Sequence, residues 1–384
     1  MDLGLRDGAR TERRQAARGR VRHQLRAGRH HRAHPQVGPV KGVLIAESGD
    51  VHWLRADVAL AAAARRQVGQ LARGICLPEE RVARAELCVT EMATNLLKHA
   101  DDGSLVLRVV RSRGSAAVEC LSLDNGPGIA DVHRALRDGT SAAGSLGIGL
   151  GAIGRLADVF GVHSLRGRGT ALYARFWADG EVPAPGPVET GGLTRPIGGE
   201  QVCGDSWAVR TVDGHGPDAL LLMMCDGLGH GPLAARVGDR AREVFRDSRS
   251  TSPAAVLEEI HRGLRGTRGA ALAVALVDPA GQRVRLCGAG NITALVAAGD
   301  ARTGLLSMPG IAGAQLPRPR TFEAPFPPGA VLVMHSDGLS DRWKPADFPG
   351  LFPHDSALVA GQLLNQAAVR RDDAGIVVAV HGRP

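Results

Sequence analysis

The sequence predicts an α+β protein with two folded domains, and three observations support this prediction. The chain has 384 residues, 44% of them hydrophobic, which is long for one core and sufficient for two. Helix and strand patterns are mixed in the first half, whereas the second half is mostly strands that hold a helical pair. A Pro- and Gly-rich stretch at residues 182–192 separates the halves. We expect an extension at 1–38, a first domain at 39–180, a linker at 181–193 and a second domain at 194–384.

The first half begins with a short predicted strand near Val40. Residues 55–73 are Ala-rich and predict a helix, and residues 79–98 predict a second helix with apolar positions at helical intervals. A Gly-rich stretch at 139–154 leads into a further helix through Ala157. The other strands predicted in this half are SLVLRVVR, AAVECLSLD, VFGVHSL and ALYARFW.

The second half contains apolar runs of strand length, several of which end in Asp or Gly. Two segments, LAARVGDRAREVF and PAAVLEEIHRGL, predict helices. The predicted strands are ALLLMMCD, AALAVALVD, RVRLCGAG, ITALVAAG, AVLVMHSD and GIVVAVHG.

The formal net charge of +8 is concentrated at the N-terminus. Residues 1–34 hold ten Arg against Asp2, Asp7 and Glu12, which leaves the rest of the chain close to neutral. Such a composition cannot bury enough apolar surface to order itself, so we expect a disordered extension. The alternative is a basic arm that binds nucleic acid or an anionic membrane surface. Because the folded part carries no recognition-helix or aromatic-stacking pattern, nucleic acid is not the expected partner.

The six cysteines form no CxxC pair, and most lie inside apolar runs. This pattern is typical of reduced, buried cysteines in a cytoplasmic protein. The N-terminus has no apolar signal core, and no apolar run reaches the length of a membrane span. We therefore expect a cytoplasmic protein without a membrane span.

Acidic residues stand at the ends of four apolar runs in the second half. Strands that end in this way can place carboxylates together at one rim of a sheet. Converging carboxylates repel one another, so they persist where a cation neutralises them, and oxygen ligands suit Mg²⁺ or Mn²⁺. A single Asp-Gly pair is common in turns and does not indicate a metal site by itself. Only the whole ordered set of acidic residues indicates one. The residues are Asp205, Asp226, Asp337 and the pair Asp372 and Asp373.

This series resembles the SpoIIE-type phosphatases of the metal-dependent PPM superfamily, over roughly residues 195–381. The matching motifs are CGDSW, DGLGHG, GAGN, HSDGLSD and RDDAG. The resemblance implies an α-β-β-α sandwich that binds two Mn²⁺ or Mg²⁺ ions and hydrolyses phosphoserine or phosphothreonine. In that family Asp205 and Asp226 would bridge the ions and act in catalysis, the Gly227 carbonyl would complete one shell, and Asp337 and Asp372 would hold the other side.

Several positions of the second-half motifs stay open. Asp373 is the alternative to Asp372 for the last ligand. Gly375 stands where the family usually has Thr, and one Gly rather than two precedes Asp205. His230 is either a phosphate contact or a structural residue of its loop.

Polar residues in the first half lie at helical spacing and are followed by glycine-rich loops. Glu91 and Asn95 are one turn apart on the second predicted helix, where a carboxylate can act as a base and an amide oxygen can bind Mg²⁺. Alone, this is a polar helix face. Asp124 begins DNGPGI after a strand, and SLGIGLG at 145–151 precedes a helix, where backbone amides can approach phosphates.

Residues 40–177 resemble the GHKL (HATPase) nucleotide fold, more narrowly the RsbW/RsbT type of bacterial serine kinases and anti-sigma factors. The resemblance implies a sandwich with helices on one face of a mixed sheet, which binds ATP with Mg²⁺. It makes Glu91 the catalytic base, Asn95 the Mg²⁺ ligand and Asp124 the adenine contact. The remaining nucleotide contacts implied are Gly126, Gly128, Gly147, Gly149, Gly151 and Thr170.

Together the two resemblances imply a regulator of protein phosphorylation in a bacterial partner-switching pathway. The expected substrate is a phosphorylated protein, a STAS-type anti-sigma factor antagonist, and a sigma factor is a further candidate partner. The first domain would either transfer phosphate to that partner or act as a nucleotide-responsive switch. The rival hypothesis is an ATP-dependent binding protein of the anti-sigma type, with a weak or inactive phosphatase domain.

Overall fold

The structure, a computed structural model, describes residues 44–49, 51–112, 115–137, 149–198, 200–216, 218–316, 318–369 and 371–382. The predicted extension at 1–38 lies outside the described residues, as does Gly147.

The described residues form sixteen strands and seven α-helices. The strands are β1 (Leu44–Glu47), β2 (Val51–Arg55), β3 (Ser104–Ser112), β4 (Ser115–Leu123), β5 (Val159–Leu165), β6 (Gly169–Trp177), β7 (Val188–Arg195), β8 (Asp205–Thr211), β9 (Leu220–Gly227), β10 (Ala270–Asp278), β11 (Arg283–Ala289), β12 (Thr293–Ala298), β13 (Ala301–Leu305), β14 (Thr321–Pro325), β15 (Val331–His335) and β16 (Ala374–His381). The helices are α1 (Leu60–Gly74), α2 (Glu79–His99), α3 (Val132–Arg137), α4 (Leu150–Leu156), α5 (Gly231–Asp247), α6 (Pro253–Gly263) and α7 (Ser356–Ala367).

The first-domain sheet has the strand order β2-β3-β4-β6-β5. One face packs against α1 and α2, with Leu107, Cys120 and Phe176 among the buried residues of that core. All strand pairs described in this sheet are antiparallel. The resemblance to the GHKL fold implied a mixed sheet, so that detail of the prediction is wrong. The reason is that β5 and β6 form a hairpin, and β6 then returns antiparallel beside β4 instead of continuing the sheet in parallel.

Two further sheets face each other in the second domain and enclose a core that includes Trp207, Met224 and Val377. The outer sheet has the order β1-β8-β9-β10-β11-β14, and the inner sheet has the order β13-β12-β15-β16-β7. Helices α5 and α6 cover the other face of the outer sheet, and α7 covers the other face of the inner sheet. The α+β class and the α-β-β-α sandwich are therefore confirmed.

Helix α7, which the sequence did not predict, lies between the inner sheet and the first-domain sheet. Nine consecutive residues, Ser356 to Leu364, are buried. Their apolar core joins Leu121 and Tyr173 of the first domain with Ile376 of the inner sheet. At Gly361 an added Cβ would lie 2.8 Å from Leu121 Cδ2, so glycine allows the helix to approach β4 closely. The two domains thus share one hydrophobic core.

Strand β1 belongs to the second domain, although the sequence placed residues from 39 onward in the first. It pairs antiparallel with β8 at the edge of the outer sheet, and Ser48 N–H donates to the Trp207 carbonyl at 2.8 Å. Arg246 binds Glu47 at 2.8 Å and fixes the strand to α5. A short apolar run carries no information about which sheet it joins, so the pairing could not be read from the sequence.

The C-terminal part of the predicted linker at 181–193 is strand β7, which pairs with β16 over its whole length. The glycines that suggested a flexible turn serve close packing instead. An added Cβ at Gly192 would lie 2.5 Å from the indole of Trp207, and one at Gly191 would lie 2.8 Å from Ser356 Oγ. Glycine is needed here because two layers meet across the strand.

A buried ion cluster lies on the α7-facing side of the first-domain sheet. Glu119 on β4 is fully buried and binds Arg108 on β3 and Arg175 on β6, its cross-strand neighbours. Arg108 also donates to the carbonyl of Gly192 on β7, and Arg175 lies 3.8 Å from Asp355 before α7. The cluster therefore ties the first domain to the second at two points.

Candidate functional site

Two of the predicted aspartates are direct cross-strand partners. Asp205 is the first residue of β8, and Asp226 lies near the end of β9, where the two residues are paired in register. Strand β8 begins at this rim and β9 ends there, with Gly204 just before Asp205 and Gly227 just after Asp226. The N–H of Gly227 donates to the Gly204 carbonyl at 3.2 Å. The structure thus brings Asp205, Asp226 and the Gly227 backbone to one place.

A buried hydroxyl holds one oxygen of Asp205. Ser336, at the end of β15, donates to Asp205 Oδ2 at 2.5 Å and accepts from Gly375 N–H at 3.0 Å. An added Cβ at Gly375 would lie 2.8 Å from Asp205 Cβ and would also collide with Met224. The glycine that departs from the family pattern is therefore required by packing, and Ser336 supplies the hydroxyl beside the carboxylate.

Asp337 follows Ser336 and extends the acidic rim toward solvent. Asn291, from the GAGN segment, donates from Nδ2 to Asp337 Oδ2 at 2.6 Å. This contact orients one carboxylate oxygen and leaves the other for a ligand. Sequence analysis noted the GAGN segment without giving Asn291 this role.

Asp372 and Asp373 have different environments, although they are adjacent in sequence. Asp373 is buried, and its two oxygens accept from Ile197 N–H at 2.7 Å and Gly204 N–H at 2.8 Å. Asp372 is exposed, and its Oδ1 accepts from the N–H of Asp373 at 2.9 Å. The geometry therefore favours Asp372 as a metal ligand and Asp373 as the residue that positions the loop before Asp205.

The carboxylates raise one another's pKa. Burial, followed by the charges of Asp337 and Asp372, raises the pKa of Asp226 to about 7. Burial and the charge of Asp226 raise the pKa of Asp205 well above its ordinary value, and burial with the charge of Asp372 raises that of Asp337. Such mutual repulsion is the expected state of a carboxylate cluster in the absence of a counter-charge.

These residues fit a divalent cation on two counts. Asp205 Oδ1 is buried and has no hydrogen-bond partner in the described part of the chain, so it is an acceptor that a cation could satisfy. All the donors are oxygens, which hard cations prefer. Within the described ranges, no group of three or more acidic, His or Cys side chains is arranged so that it could hold a metal ion by itself.

His230 has a structural contact in this region. Its Nδ1 lies 2.9 Å from Glu200 Oε1, and it precedes the first residue of α5. This contact supports a role in holding the DGLGHG loop rather than in binding phosphate.

In the first domain, α2 carries the predicted base and metal ligand. Glu91 is buried, and Asn95 is half-buried one turn later. The N–H of Gly149 donates to Glu91 Oε1 at 3.3 Å, so the glycine segment before α4 meets this helix face. Gly151 lies in the first turn of α4, against the Leu136 carbonyl. The structure therefore brings Glu91, Gly149 and α4 together.

The DNG loop after β4 forms the other side of this site. Asp124 accepts from Gly126 N–H at 2.8 Å, and its own N–H donates to the Thr170 carbonyl at 3.0 Å. Burial raises the pKa of Asp124, and hydrogen bonds from the backbone of Gly126 and Thr170 to the carboxyl group partly oppose the shift. Gly128 has a φ of +71°, and an added Cβ would collide with the Leu165 carbonyl. Asp124, Gly126, Gly128 and Thr170 are thus neighbours, as predicted.

Two residues at the end of α7, which sequence analysis missed, contact this loop. Asn365 Nδ2 donates to the Asp124 carbonyl at 3.0 Å, and Gln366 Nε2 donates to Asn125 Oδ1 at 2.9 Å. Just after them, Ala368 pairs with Leu339, and Val369 N–H donates to the Gly338 carbonyl beside Asp337. One short segment therefore touches both sites.

Comparison with known proteins agrees with this arrangement in the first domain. The family model for a histidine kinase-like ATPase domain matches residues 54–176. The serine/threonine-protein kinase RsbT of Bacillus subtilis (strain 168) is 34% identical over 115 residues, which are 30% of this chain and 86% of RsbT. The chain belongs to the RsbT-like family. The similarity that places the chain in this family lies in its first domain. Domains of the GHKL class bind ATP.

The second domain of this RsbT-like protein is similar to other known proteins, one of them a phosphoserine phosphatase. The family model for stage II sporulation protein E (SpoIIE) matches residues 216–376. Phosphoserine phosphatase RsbX of the same organism is 22% identical over 143 residues, 37% of this chain and 70% of RsbX. A crystal structure of RsbX in complex with magnesium is similar at 19% identity and a TM-score of 0.42, covering 50% of this chain and 94% of that one.

No helix in the described ranges is both long enough and apolar enough to cross a membrane.

Proposed function

We propose that the second domain is a metal-dependent phosphatase that removes phosphate from serine or threonine of a partner protein. The observation that carries this proposal is the Asp205–Asp226 pair, with the buried, unpartnered Oδ1 of Asp205 and the raised pKa of each carboxyl group. A cluster of this kind is stable at neutral pH when cations neutralise it.

In the proposed mechanism, Mn²⁺ or Mg²⁺ would be held by Asp205, Asp226, the Gly227 carbonyl, Asp337 and Asp372. The bound ions would lower the pKa of a water and neutralise the phosphoryl charge. The chain's own residues supply the positioning. Ser336 orients Asp205, Asn291 orients Asp337, and Asp373 fixes the loop that carries Gly204.

The first domain, on the same proposal, binds ATP with Mg²⁺. Asn95 would hold the ion, Asp124 and Thr170 would contact the adenine, and the amides of Gly126, Gly128, Gly149 and Gly151 would line the nucleotide. Glu91 would accept the proton of a partner serine during phosphate transfer. Its contact with the Gly149 N–H supports a position beside the phosphate-binding segment.

The partner proposed is a STAS-type anti-sigma factor antagonist, phosphorylated on serine, in a bacterial stress-response pathway. This proposal draws on the names of the two relatives, a serine/threonine kinase and a phosphoserine phosphatase. A sigma factor is a further candidate partner. Since the described cysteines are all unpaired and the proposed activities use ATP, we propose that the protein acts in the cytoplasm.

A kinase and a phosphatase acting freely on one partner would consume ATP without effect, so we propose that nucleotide binding biases the phosphatase. The contacts of Asn365 and Gln366 with the DNG loop support this proposal. Because of them, a movement of the DNG loop would displace the end of α7, which lies six residues before Asp372. Phosphatase rates on the phosphorylated antagonist should differ with and without ATP. Identical rates would contradict the coupling.

The kinase half of the proposal is tested by Glu91→Ala. We expect phosphate transfer to the antagonist to fall at least about 10²-fold, while ATP binding and hydrolysis of a generic phosphate ester are retained. Glu80→Ala, an exposed change in the first turn of the same helix, is the matched control. Transfer that is absent already in the wild type, with ATP-dependent partner binding, would favour the anti-sigma-type binding protein.

A further inference from the structure

The loop after β4 and the start of β6 carry the two predicted adenine contacts, Asp124 and Thr170. Within the first domain they are joined through the backbone, because Asp124 N–H donates to the Thr170 carbonyl at 3.0 Å. An added Cβ at Gly169 would collide with the Asp124 carbonyl, so β6 begins in close contact with that oxygen. The Asp124 carbonyl and the side chain of Asn125 receive hydrogen bonds from the second domain.

Two amide side chains at the end of α7 supply these hydrogen bonds. Asn365 Nδ2 donates to the Asp124 carbonyl at 3.0 Å and to Asn125 Oδ1 at 3.2 Å. Gln366 Nε2 donates to the same Asn125 oxygen at 2.9 Å. Both amide side chains are half-buried. The second domain therefore holds two consecutive residues of the nucleotide loop.

The end of α7 also holds the turn that leads to Thr170. Gln366 Nε2, which has two N–H groups, donates to the Arg168 carbonyl at 2.6 Å. Arg168 Nη1 donates in turn to the Asp347 carbonyl at 2.7 Å, and its guanidinium lies 5.1 Å from the centre of the Phe348 ring. Gln366 therefore bridges the loop of Asp124 and the turn before Thr170.

These contacts require a donor at the end of α7. The partners are two backbone carbonyls and the amide oxygen of Asn125, and such oxygens only accept hydrogen bonds. A side chain of similar length without N–H groups leaves them without these donors. The loop is then held by first-domain contacts alone.

The position of Asp124 determines which base fits beside it. A carboxylate accepts from the exocyclic amine of adenine, whereas guanine presents an acceptor oxygen at the same place on its ring. A displaced Asp124 therefore weakens the binding of ATP more than the binding of GTP.

We infer that Asn365 and Gln366 are positioning residues of the nucleotide site, so that the second domain completes the adenine-binding part of the first. They act through Asp124 and the turn before Thr170. The inference rests on the proposed binding of ATP by the first domain. It goes beyond the proposed bias of the phosphatase, because the positioning role holds equally when the phosphatase is inactive.

The test measures the Kd of the full chain for ATP and for GTP, each with Mg²⁺, by calorimetry. Gln366→Met removes both donors without adding a charge, so it should raise the Kd for ATP about tenfold and change the Kd for GTP much less. Asn365→Leu should lower the preference for ATP over GTP in the same direction, which provides a second variant if the first does not fold. Gln70→Met, the same exchange at an exposed position of α1, is the matched control.

Two outcomes would overturn the inference. One is a Kd for ATP in Gln366→Met and Asn365→Leu that equals the value for Gln70→Met. The other is an equal loss for ATP and GTP, which would show a general structural defect instead of a displaced adenine contact. If the wild type and Gln70→Met both fail to bind ATP, it is the proposed nucleotide site that fails, so the two failures are distinguishable.

Discussion

The two sites of this chain are built from different chemical groups. The second-domain site gathers several carboxylates that raise one another's pKa, with Asp226 at about 7. The first-domain site has one buried carboxylate, Glu91, and is otherwise made largely of loop backbone. An example is the N–H of Gly149, which donates a hydrogen bond to Glu91. The carboxylate site of the second domain needs a cation before it is stable in the charged form. The first-domain site instead offers backbone dipoles to an anion.

This difference predicts how each site responds to mutation. In the carboxylate site, removing one charge relieves repulsion, so a loss of activity need not bring a loss of stability. In the backbone site, the geometry of the glycine loops carries the function, and side-chain changes there act mainly through Glu91, Asn95 and Asp124. The predictions below begin with the largest expected effect.

Asp372→Asn and Asp373→Asn separate the two roles within the acidic pair. Asp372→Asn should lower Mn²⁺-dependent phosphatase activity about 10³-fold with an unchanged or raised Tm, because it removes a ligand and a repelling charge. Asp373→Asn should lower the Tm, because an amide cannot accept from both Ile197 and Gly204. Phosphatase assays with Mn²⁺ measure the activity of each variant, and thermal unfolding without metal measures its Tm. A lower Tm in Asp372→Asn alone would reverse the assignment.

Glu119→Gln tests whether the buried ion cluster joins the regions. Burial alone would raise the pKa of Glu119, but Arg108 and Arg175 hold it below its ordinary value. The carboxylate therefore contributes stability at neutral pH that is lost as the pH falls through this lowered pKa. Glutamine leaves two guanidinium groups without a counter-charge, so we expect a loss of about 3–5 kcal/mol in the free energy of unfolding.

The control for the ion cluster is Glu80→Gln, which changes an exposed pair with Arg84 on α2. Denaturant unfolding should leave this variant like the wild type. A Glu119→Gln protein as stable as this control would show that the cluster does not hold the interface.

Glu189→Gln gives the smallest effect and tests the contact between β7 and the start of α7. Glu189 accepts from Ser356 N–H at 3.0 Å, and burial followed by the charge of Asp355 raises its pKa from 4.5 to about 7. Because the folded pKa is raised, stability falls as the pH rises through this window. Glutamine keeps the acceptor oxygen without titrating. The variant should gain on the order of 1–3 kcal/mol relative to the wild type between pH 4.5 and pH 8. Parallel stability curves for the two proteins would contradict the expected pKa.

Much of the candidate site could be predicted from the sequence, because its residues lie in short motifs at strand ends. Asp226 and Asp337 stand at the ends of apolar runs and Asp205 at the start of one, and these strand-end positions were enough to predict that the three lie together. The choice between Asp372 and Asp373 could not be made, since it depends on which carboxylate meets the amides of Ile197 and Gly204. Gly375 stands where the resemblance led us to expect Thr, and the sequence does not explain the difference. The close packing of Asp205 against this position explains why glycine is needed there.

The contacts between the domains could not be predicted. Helix α7 is buried on both sides, so it has no polar face and no helical periodicity to reveal it. Strand β1 pairs with β8, more than 150 residues away in sequence, and short strands do not specify their partners. Gly191 and Gly192 suggested a linker because glycine is common both in turns and where two layers approach closely.

The central claim is that the Asp205–Asp226 pair binds metal for phosphate hydrolysis, and a Mn²⁺ titration of p-nitrophenyl phosphate hydrolysis tests it most directly. The wild type should show saturable, metal-dependent turnover that EDTA abolishes. Asp226→Ala should lose that turnover at every Mn²⁺ concentration while ATP binding by the first domain persists. Equal metal-dependent turnover in Asp226→Ala and the wild type would contradict the account.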